Sequence, residues 1–316
     1  MDNKFEVYLE EGSLGGLGSI AKSDIHSHAG RGGKADYISS WAKKKISLPP
    51  SKFDSLAHME RWFSDNIKVL CPGLEGHLKR WEAAFAQAST DNITVLALSF
   101  TISEIDFVGG IEAFIGILNE YNGQFAPNTV FLPELTFDRA CNTEEEFSRL
   151  DEILNYGFFK SVDICCNEFA QPIRNFKKIF RKAKEYSVRL KAHVGEFGSA
   201  DDVMEAVEEL ELNEVHHGIA VAKSNYVMKW LADHKIQLNI CPTSNVMLGI
   251  VENYASHPIR RIYDAGIPVT INTDDLLIFN QTVSQEYLNL YNAHLMTVKE
   301  LNNIREEGLK EKNYYK

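Results

Sequence analysis

No stretch of the chain approaches the ~20 consecutive apolar residues of a membrane helix, so no span is expected. The opening MDNKFEVYLEEG is too acidic for the n-region of a secretory signal, and no apolar segment follows it. Positive charge is scarce. The 33 Lys and Arg against 44 Asp and Glu leave a net charge of -11, which argues against binding nucleic-acid polymers, whose phosphates require a concentrated basic surface. A small substrate is expected instead. The most basic run, residues 174–191, carries Phe176, Ile179, Phe180 and Ala183 at helical spacing and reads as a solvated helix face. Cysteines are few and odd in number: Cys71, Cys141, Cys165, Cys166 and Cys241. None forms a C-x-x-C pair, which excludes the Cys-ligated zinc site of cytidine and base-editing deaminases and points to a reducing, cytoplasmic compartment. Gly12, Gly15, Gly16 and Gly18 match no dinucleotide fingerprint, and no repeat or Pro/Ser-rich linker divides the chain.

The 316 residues, 44% hydrophobic and 24% charged, suffice for one large globular domain spanning 1–316. Eight β-rich runs alternate with helical segments: 22–28, 93–101, 129–136, 161–166, 188–194, 214–218, 236–241 and 267–273. Between them lie apolar residues three or four apart, as in 110–121, 144–155, 173–186, 201–210, 224–233 and 257–265. Eight such units predict an α/β fold, a single (β/α)8 TIM barrel. A helical insertion after the first strand, about residues 36–87 with Trp41, Trp62 and Trp81, is expected to cap the barrel mouth.

Four polar signatures end predicted strands one, five, six and eight, on the rim where barrel active sites are built. His26 and His28 are two apart, so in an extended segment both face one ion. His193 adds a nitrogen, with Glu196 on the loop beyond it. Of the adjacent His216 and His217, only one is expected to enter the mouth, and Gly218 favours His217, leaving His216 a packing role. Asp274 and Asp275 end an apolar strand, a costly place for two carboxylates unless a cation is near. Each signature alone has an ordinary structural reading. Together, three imidazoles and a carboxylate form the ligand set of an open zinc site, with a Glu, a His and an Asp left for proton transfer. His58, His77, His234 and His294 read as structural residues of helical segments, and His257 before Pro258 as a helix start.

The motifs DIHSH, KAHVGE, VHHG, CPTSN and NTDDLLIF occur in this order between Asp24 and Phe279 and resemble those of the adenosine deaminase family of metal-dependent hydrolases. That resemblance implies one zinc ion held by His26, His28, His193 and Asp274. The run DICCN offers no lysine for the bridging carbamate of two-metal relatives. It further implies that His217 takes or orients the proton of the attacking water, that Glu196 protonates purine N1, and that Asp275 contacts N7 in its protonated form. The expected reaction releases ammonia from a purine nucleoside or nucleotide such as adenosine, deoxyadenosine, AMP or dAMP. The alternatives are an aminohydrolase acting on adenine or an N6-substituted adenylate, and a zinc-retaining sensor without catalysis. Two departures concern the substrate. Where the family has Leu-Asp-Gly with a sugar-binding Asp, this chain reads Ala29-Gly30-Arg31-Gly32-Gly33-Lys34, so Gly30, Arg31 and Lys34 are candidate contacts for a 5'-phosphate. Cys166 stands where relatives have a glycine whose backbone touches N3. Oligomerisation or a protein partner is left open.

Overall fold

Eight parallel strands follow one another around a single sheet in chain order. They are β1 (Lys22–Asp24), β2 (Ile93–Thr101), β3 (Val130–Asp138), β4 (Ser161–Cys165), β5 (Arg189–Val194), β6 (Glu214–His217), β7 (Gln237–Ile240) and β8 (Val269–Ile271). The computed structural model describes residues 3–314, so the two residues at each end of the 1–316 span lie outside the described residues. β8 and β1 are joined at the rim, where Asp274 N–H donates to His26 O (2.9 Å) and His28 N–H to Asp274 O (3.3 Å). The side chain of Asn272 adds a further link by accepting from Ile25 N–H (2.8 Å). The architecture is therefore a (β/α)8 TIM barrel, and its seam is closed by the backbone of the signature residues themselves.

The helices of the outer layer start within a few residues of the expected positions, several on a side-chain cap. Ser199, for example, accepts from Asp202 N–H while the Asp202 carboxylate accepts from Ser199 N–H, starting helix Ala200–Leu210. The basic run forms helix Lys177–Glu185, which buries Ile179, Phe180 and Ala183 and pairs Lys177 with Glu209 and Lys178 with Glu144. It is the solvated helix face its spacing predicts.

Between β1 and β2 lie helices Ala35–Ala42, Leu56–Asn66 and Gly73–Thr90. The first two belong to a second apolar cluster in which Ile38, Phe53, Met59 and Phe63 pack with Met247, Leu248, Leu277 and Phe279 from loops after β7 and β8. Trp41 and Trp62 pack against that cluster, whereas Trp81, from the third helix, is fully buried in the main barrel core. The glycines near the first signature have a packing reason. A Cβ on Gly33 would meet Ala83 Cβ at 2.4 Å, and one on Gly32 would meet Ala84 Cβ at 3.1 Å, so the loop lies directly on helix Gly73–Thr90.

Inside the barrel, inward positions of the strands carry polar residues: Glu134, Asp163, Lys191, Glu214, His216 and Asn239, all buried. Lys191 Nζ lies 3.0 Å from Glu134 and 3.5 Å from Glu214, and Arg189 also pairs with Glu214. This layer floors the site above it.

Candidate active site

At the rim, three imidazoles converge through their Nε2 atoms because each Nδ1 is held from behind. His26 Nδ1 lies 3.1 Å from Asn239 O, His28 Nδ1 lies 2.8 Å from Ser99 Oγ, and His193 Nδ1 lies 3.1 Å from the Asp163 carboxylate. His26 and His193 Nε2 come within 2.9 Å of each other, and Asp274 Oδ1 lies 3.4 Å from His28 Nε2 and 3.6 Å from His26 Nε2. All four ligand atoms fall within 4.8 Å of one another. A tetrahedral ion with ligand bonds of about 2.0–2.1 Å has edges near 3.4 Å, so the donor set and its spacing fit a metal. The field agrees. Burial alone would depress His28, yet its hydrogen bond with Asp274 and the charges of Asp275 and Asp274 lift it to about 9. Such a field attracts positive charge, and a divalent cation would displace protons from it.

Backbone strain gathers at the same strand ends. Cys166, His217 and Asp274 have φ of 74°, 61° and 59°, in the left-handed region that side chains rarely adopt. At β6 it sets the two histidines at different levels, and of the pair only His217 lines the mouth cavity. His216 follows the inward strand parity into the barrel, where its Nε2 lies 3.1 Å from Glu134 and its ring 4.0 Å from that of His26. The left-handed step turns His217 inward as well, one level higher at the mouth, with Nε2 3.6 Å from Glu196 Oε2.

Glu196 sits on a loop held by a residue that the motifs did not reveal. The Glu168 carboxylate accepts from the backbone N–H groups of Gly195, Glu196, Phe197 and Gly198 at 2.7–3.3 Å. Gly195 is required there, since its φ is 71° and a Cβ would meet Val203 at 2.3 Å. Burial, then the charges of Asp274, Glu168 and Asp275, push the Glu196 carboxyl well above the ordinary range, which favours its protonated form. Asp275 is also raised, by burial and Asp274, against the opposing pull of Arg31. Glu196 Oε1 and Asp275 Oδ1 are buried without a hydrogen-bond partner.

These groups share a cavity of about 660 Å³, lined by His28, Gly30, Arg31, Cys166, His193, Glu196, His217, Asp274 and Asp275, with His26 beneath it. Lys34 does not line it, and stands at the residue before helix Ala35–Ala42 with no side-chain capping bond. Arg31 is engaged by Asp275 (2.8 Å) and Glu60 (2.8 Å) and lies over the Phe63 ring. The outer wall carries Lys68, His77 and Arg80. His77 thus lines the cavity, although its helical setting reads as purely structural, and His294 falls in the turn after helix Val283–Asn292. Asp163 did leave a signal, as a single acid in the apolar strand SVDIC. Glu168, Ser99 and Asn239 left none, because their partners are remote in sequence.

The adenosine deaminase family model matches residues 136–313. A putative adenosine/adenine deaminase of Treponema pallidum is 31% identical over 280 residues, covering 88% of this chain and 94% of that protein. The chain belongs to the adenosine deaminase family. Among solved structures, the N6-methyl-AMP deaminase of Arabidopsis thaliana superposes with a TM-score of 0.77 at 15% identity, covering 93% of this chain and 92% of that one. An amidohydrolase from Burkholderia ambifaria with bound Zn superposes with a TM-score of 0.74 at 18% identity, covering 93% and 86%. These likenesses show the shared fold. Among the described residues, no helix of this family member is long and apolar enough to cross a membrane.

Proposed function

We propose that the protein is a zinc-dependent hydrolytic deaminase that converts an adenine nucleoside, or its 5'-phosphate, to the inosine equivalent with release of ammonia. The observation that carries this reading is the pairing of a four-donor cluster with Glu196, a carboxyl whose Oε1 has no partner in the cavity and whose surroundings favour the protonated form. His26, His28, His193 and Asp274 would hold the ion, since three imidazoles and one carboxylate suit zinc and leave a position open. Zinc bound there supplies the Lewis acidity that lets a water ionise near neutral pH.

The chain's own residues do the rest. Glu196 donates its proton to ring N1, which localises the ring electrons and opens C6 to attack. Asp275 in its protonated form donates to N7, an acceptor-only atom, and burial favours that form. His217 contacts the incoming oxygen. Cys166 lines the cavity on the far wall and offers its backbone N–H to the ring edge. A cavity of about 660 Å³ leaves room for more than an adenine ring, which favours a nucleoside or nucleotide over the free base. Gly30 and Arg31 line the sugar side. Lys68, which pairs with no carboxylate among the described residues, and Arg80 are the cations a 5'-phosphate would meet, in place of Lys34.

The test is ammonia release by the zinc-loaded protein from adenine, adenosine, deoxyadenosine, AMP and dAMP. Turnover of at least one nucleoside or nucleotide, exceeding that of adenine, is expected. Silence towards all five with stoichiometric zinc bound sinks the deaminase reading. Lys68→Ala then separates the sugar-end alternatives: it should raise KM for AMP and leave adenosine unchanged if phosphate is bound there.

A further inference from the structure

Behind His217 runs a chain of buried groups that permits one arrangement of protons. The backbone N–H of Ile259 donates to His257 Nδ1 (3.1 Å), so that nitrogen presents its lone pair. Burial depresses His257 to about 3, leaving the ring neutral with its single proton on Nε2. This Nε2 lies 3.2 Å from Asn245 Oδ1, and an N–H facing that atom fixes which end of the amide is oxygen. Asn245 Nδ2 therefore faces His217 Nδ1, at 3.3 Å. An amide nitrogen only donates, so His217 Nδ1 must accept, and the ring proton lies on Nε2. All three side chains are buried. The backbone of Asn245 is anchored, since its main-chain carbonyl accepts from the N–H groups of Ile250 (3.1 Å) and Val251 (3.0 Å).

We propose that Asn245 and His257 are positioning residues that hold His217 as its Nε2–H tautomer, so that His217 meets the attacking oxygen as a hydrogen-bond donor. The proposal rests on the deaminase reading for its kinetic consequence, though not for its structural one. The family motifs leave His217 either to take a proton or to orient the water. Taking one at Nε2 would need the ring proton on Nδ1, facing the two N–H donors of Asn245. The relay disfavours that form and selects orientation. It also gives a function to Asn245 of the CPTSN motif, and to a histidine that reads from the sequence as a helix start.

The direct test is the ring ¹⁵N spectrum of His217 in the zinc-loaded full chain. A protonated Nε2 with a bare Nδ1 is expected, and the opposite pattern overturns the proposal. Asn245→Asp places an acceptor opposite Nδ1 at almost unchanged volume and should draw the ring proton there. The expected result is an inverted His217 spectrum, unchanged zinc content, and a kcat lower by roughly 100-fold with KM little altered, the size of loss expected when one donor to a developing negative charge is removed. An inverted spectrum with undiminished kcat contradicts the proposal. His257→Gln keeps a donor towards Asn245 Oδ1 and should retain kcat within about threefold, whereas His257→Leu should lose about tenfold. Equal losses in these two would reduce His257 to packing and overturn its role. If Asn245→Asp does not fold, the wild-type spectrum and the His257 pair still decide. Should no substrate release ammonia, the deaminase reading falls while the spectrum continues to test the relay.

Discussion

Two layers of buried charge lie one above the other in this barrel and behave in opposite ways. In the lower layer, Glu134, Lys191, Glu214 and Arg189 are mutually paired, and Glu134 also receives Ser161 Oγ–H at 2.7 Å. Burial opposes ionisation there, yet Lys191 and Arg189, with hydrogen bonds from Asn239 and Arg189, hold Glu214 down at about 2. In the upper layer, burial and neighbouring acids push Glu196 in the other direction, and Glu196 Oε1 and Asp275 Oδ1 have no partner. Carboxylates of similar burial thus differ by how far cations of the protein answer them: Glu134 and Glu214 are paired with Lys191, Asp275 meets Arg31 through Oδ2 alone, and no Lys or Arg among the described residues pairs with Glu196.

The comparison can be broken most severely at Glu196. Glu196→Gln keeps the shape and removes the transferable proton, so kcat should fall about 10³-fold with zinc content unchanged. Lys191→Met attacks the lower layer instead. It strips Glu134 of its lysine while Glu214 keeps Arg189, and the chemical-denaturation free energy should fall by about 3–5 kcal/mol, while the kcat of the folded fraction holds. Asp163→Asn tests the contact that joins the layers: with His193 Nδ1 less firmly held, zinc affinity should drop roughly 10–100-fold in a chelator competition.

The smallest effect concerns pH, and its sign differs between layers. Glu214 has a folded pKa below its unfolded one, so its pairing stabilises fully above about pH 4.5 and is lost as pH falls towards 2. Glu196 has a raised folded pKa, so its burial costs stability as pH rises above about 4.5. Glu196→Gln should therefore be more stable than wild type at pH 7, by about 1 kcal/mol, with the gap closing below pH 4.5. A gap that widens in acid would reverse the assignment.

The barrel was legible because its information is local. Apolar strand runs and helix spacing repeat every few residues, and β2 falls on the expected 93–101. His26, His28, His193 and Asp274 were legible because ligand types at strand ends are visible one at a time. What escaped was set by distance in the chain. Glu168 holds a loop 27–30 residues away, and Ser99 orients His28 across 71. The relative levels of His216 and His217 are not visible in the sequence either, because only the left-handed backbone at His217 turns both rings inward, His216 on Glu134 and His217 at the mouth. The loop 30–34 was read for its charge, when close packing on a helix explains its glycines.

In the proposed deamination the proton comes from Glu196, the upper-layer carboxyl that no Lys or Arg among the described residues answers. The most direct measurement is ammonia release from adenosine and AMP by wild-type protein and Glu196→Gln at equal, stoichiometric zinc. Turnover of at least one substrate by wild type and a loss of about 10³-fold in the variant are expected. Equal rates in the two proteins, or no ammonia from either substrate with wild type, would contradict this role of Glu196.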